Sequence, residues 1–266
     1  MTKTLCGFCG SSTAKITNEH IFGQWIGPLF GAGEPDLIVR NTFKLDDTAF
    51  QPWLSLRLDR RVRMACETCN NGWMSDLENT VQPIITPMIQ GHARVLTTLR
   101  DQIVIATWAV KTAMVIEFLE KPHTRYFTQA ERHSLMIDAV PSRSMGAHVW
   151  LGRYGSKNDG VHGLAATMAH PSSRAHISTF AIGQFAVQVL VERSAIGQKD
   201  RLGVRPGPWE QMLSQIWPPP PILTTRGGLL AWPPALAISA ATFETLFDRF
   251  LAPGAQRGPY RTDSTV

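Results

Sequence analysis

Residues 70–266 of this 266-residue chain contain no cysteine at all. The four that exist fall in two pairs near the N-terminus, Cys6-Gly-Phe-Cys9 and Cys66-Glu-Thr-Cys69. That excludes a disulfide framework spread over the whole chain. The N-terminus, Met-Thr-Lys-Thr-Leu-Cys, lacks the apolar core of a secretion signal. The longest apolar run, near Ile103–Leu119, is broken by Lys111 and Glu117 and is short for a clean membrane span. Internal repeats are absent, and no basic-aromatic pattern of a nucleic-acid module appears after the cysteines. The expectation is a soluble, cytoplasmic protein without membrane contact. In a reducing compartment its cysteines serve as metal ligands or free thiols.

What is present is ordinary globular material. Hydrophobic residues make up 44% of the chain and charged ones 18%, enough to build a core. The formal charge of +5 is compatible with a phosphate-bearing partner, though such an excess is common without one.

The chain divides by pattern. After the first cysteine pair comes Ile16-Thr-Asn-Glu-His-Ile-Phe-Gly-Gln-Trp25, then loop sequence to about Asp36. Residues 37–45 and 54–64 read as strands, the second through the alternation of Leu54, Leu56, Leu58, Val62 and Met64. Residues 70–79 read as a short helix and 84–99 as a second, limited at its start by Pro83 and Pro87. In 102–120, Ile105, Trp108, Ala109, Thr112, Val115, Ile116 and Leu119 share one helical face. A further helix is expected over 128–139. Segments 147–154, 160–170 and 178–193 are strand-like, the last two forming an antiparallel meander. Trp217 opens a stiff polyproline stretch to Pro221, 240–251 closes as a helix, and 253–266 reads as a flexible tail.

Zinc prefers four ligands in a tetrahedron, and each CxxC turn sets two sulfurs on one side of a metal. The long Cys9–Cys66 separation adds little closure entropy. One structural zinc held by Cys6, Cys9, Cys66 and Cys69 is therefore the expectation. A redox thiol pair is the competing reading.

Cys6-x-x-Cys9, then Glu19-His20-Ile21, then Cys66-x-x-Cys69-Asn70 resembles the HNH endonucleases of the ββα-metal fold, in their four-cysteine zinc-knuckle branch. The stretches Thr17-Asn-Glu-His-Ile-Phe22 and Cys69-Asn-Asn-Gly-Trp-Met-Ser-Asp-Leu-Glu78 carry the likeness, which covers about residues 3–80. Together with the helices and strands read above, the expectation is an α+β chain. A zinc-bound ββα-metal module (1–82) precedes a helical connector and a mixed region with antiparallel strands (83–252), then the tail (253–266). It implies a metal-dependent endonuclease acting on DNA, with RNA the second candidate. His20 would be the general base, and Glu19, His20 and Asn70 would gather round a catalytic Mg2+ or Mn2+ ion.

The chemistry suits those residue types. A neutral imidazole takes a proton from water near pH 7, and a hard cation wants the oxygens of Glu19 and Asn70. Neighbours on a strand point to opposite faces, however, so Glu19 and His20 meet only if the strand twists or ends there. Glu stands where the family more often has Asp. Asn41, Asn18 and Asn71 compete for the middle Asn of the motif. Arg57, Asp59, Arg61 and Arg63 share a strand face, with Arg60, Arg40 and Lys44 nearby; the cations would line a phosphate track or belong to a solvated face. Asp76 and Glu78 read as solvated helix carboxylates, Trp25 and Trp73 as packing residues. The alternative function is a non-catalytic zinc-knuckle protein that binds nucleic acid or protein. The C-terminal region is open to DNA binding, homodimerisation or ligand sensing.

Overall fold

The computed structural model describes residues 4–30, 36–41, 56–57, 60–92, 95–119, 122, 125–155, 161–170, 173–194, 207–221 and 228–250. The expected tail lies outside them. The architecture is α+β, helices packed on largely antiparallel sheet.

Near the N-terminus, β1 (Ile16–His20) pairs antiparallel with β4 (Arg61–Cys66). β4 leads into a turn of helix at Glu67–Cys69, a wide π-type turn at Asn70–Met74, and α1 (Ser75–Ile89). A short helix over 70–79 and a second helix over 84–99 were expected here. Instead α1 passes through both Pro83 and Pro87 and ends at Ile89, and β5 (Val95–Thr97) follows, paired antiparallel with β11 (Leu230–Trp232). Pro83 is exposed, so solvent can reach the carbonyl it deprives of a partner.

Between β1 and β4 the chain leaves this pair. β2 (Asp36–Asn41) and β3 (Leu56–Arg57) sit at one edge of a seven-stranded sheet. The other strands are β6 (Ala147–Arg153), β7 (Val161–His170), β8 (Ser173–Ile182), β9 (Phe185–Ser194) and β10 (Leu213–Trp217), in the order β10-β6-β9-β8-β7-β2-β3. The β2–β7 pair is parallel and the others are antiparallel. A single strand was expected over 178–193. Two form, because Gly183 takes φ +53° in a two-residue turn. That turn docks on the end of α1: the Gln184 N–H donates to the Ile89 carbonyl at 3.1 Å, and a Cβ on Gly183 would meet the same oxygen at 2.5 Å.

Alternation along the strands sends side chains to two cores. Phe180, Ile182, Phe185, Val187 and Val189 face the helices, while Ile177, Ala181, Ala186 and Leu190 join Phe243, Leu246 and Phe250 on the other side. The central helix α2 (Leu99–Ile116) starts at a reciprocal cap between Thr98 and Asp101, and α3 (Gln129–Asp138) at one between Thr128 and Glu131. Of the described helices, Leu99–Leu119 alone is long and apolar enough to cross a membrane, and 78% of its most apolar window is buried inside the fold.

One apolar core runs from Cys6 and Phe8 through α1 and α2 to Trp232. The position where a boundary was expected, 82/83, lies inside α1. The cysteine loop is docked on α3 as well. The Arg132 guanidinium donates to the Gly7 carbonyl at 2.8 Å and to Glu117 at 2.7 Å, and the Gln129 amide donates to the Phe8 carbonyl at 2.7 Å.

Candidate zinc knuckle and hairpin site

The four cysteine sulfurs lie within 4.8 Å of one another. Cys9 Sγ and Cys66 Sγ are 3.7 Å apart. A tetrahedron with zinc–sulfur bonds of about 2.3 Å has edges of about 3.8 Å, so that spacing suits a shared zinc and is far too long for a disulfide. All four thiols are free. Burial raises the Cys6 thiol, but backbone N–H groups of Cys66, Phe8 and Cys9 outweigh it and bring the group down to about 7. Burial pushes the Cys9 and Cys69 thiols the other way, so the preference for the thiolate that a metal ligand requires is built in at Cys6 and not at those two. The Cys66 N–H reaches Cys6 Sγ at 3.2 Å. Gly7 must be small: an added Cβ would lie 2.8 Å from both Met64 and Phe118. Its N–H donates at 2.7 Å to the carbonyl of Met64, the extra residue where the β1–β4 register slips. The residues thus fit a structural zinc, with Phe8 and Trp73 packed edge to face beside it at 4.8 Å.

The hairpin register decides where the predicted site residues point. Glu19 pairs with Val62, and both are buried. His20 pairs with Arg61 and Asn18 with Arg63, on the opposite, outward face. Glu19 and His20 therefore diverge, as plain strand alternation requires. Asn70 leans on β1: its amide nitrogen donates to Thr17 Oγ1 at 3.0 Å and to the Asn18 carbonyl at 3.4 Å. Asn18 enters the site through that carbonyl, and Asn71 is exposed. Asn41 belongs to β2, paired with Ala165 of the large sheet; its side chain and that of Arg57 lie outside the described residues.

Arg61 and Arg63 flank a surface cleft of about 380 Å³, whose other walls are Lys15, Ile16, Thr17 and Asn18. Three cations and no carboxylate line it. Among the described residues no acid pairs with any of the three.

Behind the hairpin, Glu78 is not a solvated carboxylate. Its Oε2 accepts from the Trp25 indole at 2.8 Å; its Oε1 accepts from the Trp108 indole at 2.8 Å and from Lys111 Nζ at 2.6 Å. Lys111 is fully buried, and its Nζ lies 3.8 Å from Glu19 Oε1. Trp108 and Lys111 are three residues apart on α2 and so share a face. Trp25 is more than packing, since its N–H is one of the three donors. Asp76, by contrast, is exposed. The sequence signal for this hub was Lys111, a cation inside an apolar helix. Spacing alone could not name the acid it would meet.

A hard cation would need the Glu19 carboxylate beside His20 and Asn70. That carboxylate faces inward toward Lys111, so these donors do not converge in this conformation. Burial raises Glu19 to about 7, with Lys111 lowering it and Glu78 raising it. The folded chain then binds more protons than the unfolded one between Glu19's ordinary value and about 7, and stability falls as pH rises through that window. Glu19→Gln should stabilise the protein at pH 8, by about 1–3 kcal/mol, and make no difference at pH 4. Thermal melts of both proteins across that range check this.

Comparison with family models, with curated proteins and with solved structures gives no match.

Proposed function

We propose that the chain is an endonuclease that hydrolyses phosphodiester bonds, of DNA in the first place, with His20 as general base. The observation that supports this reading is the outward placement of His20 opposite Arg61, on a hairpin whose adjoining cleft is lined by Lys15, Arg61 and Arg63. The HNH-like sequence around Glu19-His20 and Asn70 agrees with it. Phosphate oxygens would be held by the guanidinium groups, which also offset the negative charge those oxygens carry in the transition state. Water attacks phosphorus, its proton passes to the imidazole, and the bond to the leaving oxygen breaks, that oxygen taking a proton from solvent. Zinc at the four cysteines fixes the end of β4 and the turn carrying Asn70, keeping the hairpin rigid. No step is assigned to a second cation, given where Glu19 points.

The test is plasmid nicking by zinc-loaded protein, with and without added Mg2+ or Mn2+. His20→Ala should lower the rate by about 10²–10⁴-fold, the range of a general base. The inward Glu19 favours a second reading, a zinc-knuckle protein that binds nucleic acid without cutting it. Salt-dependent DNA binding lost in Arg61→Ala with Arg63→Ala, but no nicking by wild type or His20→Ala, would establish that reading instead.

A further inference from the structure

His20 is not held by β1 alone. Gln24, the first residue of a short 3-10 helix (Gln24–Phe30), brings its amide nitrogen within 3.0 Å of His20 Nε2. With the amide nitrogen donating in that contact, His20 Nε2 carries the lone pair and the ring proton sits on Nδ1. The next residue, Trp25, ties the same helix to Glu78 through its indole N–H. Glu78 is tied in turn to Trp108 and Lys111 on the central helix. The approach is tight: a Cβ on Gly23 would fall 2.4 Å from Glu78 Oε2 and 2.3 Å from the Trp25 indole nitrogen.

We infer that Gln24 and Glu78 are positioning residues of the hairpin site: Gln24 fixes His20 in the Nδ1–H tautomer, and Glu78, through Trp25, holds Gln24 where it can do so. Calling this a catalytic arrangement rests on the hydrolytic reading above; the tautomer itself does not. The arrangement suits a base acting through Nε2. A water that replaces the Gln24 amide at that lone pair can pass its proton straight to it. The site is then completed by α2, which lies outside residues 3–80. That would explain why the hairpin and the helical region share one core.

The experiment uses the full zinc-loaded chain. Long-range ¹H–¹⁵N correlation spectra of the imidazoles at pH 8 report which nitrogen is protonated, and a His20→Gln spectrum assigns the His20 signals. Wild type should show His20 with a protonated Nδ1 and a bare Nε2. Gln24→Leu should shift it toward the Nε2–H form. Trp25→Phe, which deletes one N–H and leaves a ring, should shift it the same way with zinc content unchanged. Glu78→Gln should do so too, and Trp25→Phe carries the test if that variant folds poorly. A wild-type Nε2–H tautomer, or a His20 pattern unmoved by Gln24→Leu, overturns the role of Gln24. A lowered melting temperature with unmoved His20 signals in both Trp25→Phe and Glu78→Gln reduces Glu78 to a packing role. If wild type shows the expected tautomer but nicks no DNA, the hydrolytic reading falls and this inference stands.

Discussion

Cys66→Ser should release the zinc and unfold the hairpin while leaving the large sheet in place. Structural zinc bound by four thiolates contributes on the order of 10 kcal/mol, as much as the whole stability of a typical domain. Cys66 is doubly placed: its sulfur is a candidate ligand, and its N–H supports Cys6 Sγ. Without the metal, several thiols would stay buried close together, and the Gly7 N–H bond to Met64 and the register slip beside it would lose their anchor. The β8–β9 hairpin draws its stability from ten paired positions and from apolar cores on both faces, of which only the helix-side one includes residues of the cysteine loop. Hydrogen exchange should therefore show residues 4–30 and 60–74 exchanging rapidly, with β8 and β9 still protected. Elemental analysis of the wild type should give one zinc per chain. Uniform protection in Cys66→Ser, or wild type without zinc that retains reversible thiol chemistry, would move the balance to the redox reading.

Glu78→Ala should be the most damaging single change outside the knuckle. It leaves Lys111 buried with only Glu19 at 3.8 Å, and it strips two indole N–H groups of their acceptor. Removing one partner of a buried ion pair costs about 3–5 kcal/mol. In a chain of this size that is roughly a 10 °C fall in melting temperature. The loss should be coupled to Lys111. Glu78→Leu combined with Lys111→Met removes both charges together, so the pair should lose clearly less than the two single changes added. Additive losses in thermal melts would mean that the 2.6 Å contact contributes nothing in solution.

These expectations mark what could be read along the chain. The cysteine pairs were legible because CxxC is a local geometry: two sulfurs three residues apart already face one point. The start of α3 was legible for the same reason, since Thr128 and Glu131 are bonded within a single turn, whereas Thr98, which caps α2, had been read as part of a helix over 84–99. The outward face of Arg61 and Arg63 followed from the period of two. That same period raised the question of Glu19 and His20, and in the hairpin they do point apart.

Other features depended on long-range partners. Residues 37–45 read as a strand, but nothing local says that β2 leaves its sequence neighbours to lie parallel to β7, more than a hundred residues on. Glu78 has the sequence pattern of a surface carboxylate on an exposed helix, and only the approach of α2 makes it the acceptor for Trp108 and Lys111. The opening CxxC pairs, the strand alternation and the helix caps were thus determined by the sequence itself, through contacts within a few residues. The direction of the Glu19 carboxylate, the hub at Glu78 and the seating of the cysteine loop on Arg132 were decided by tertiary structure. Their partners lie 30 to 125 residues away, where no periodicity reaches and only packing chooses.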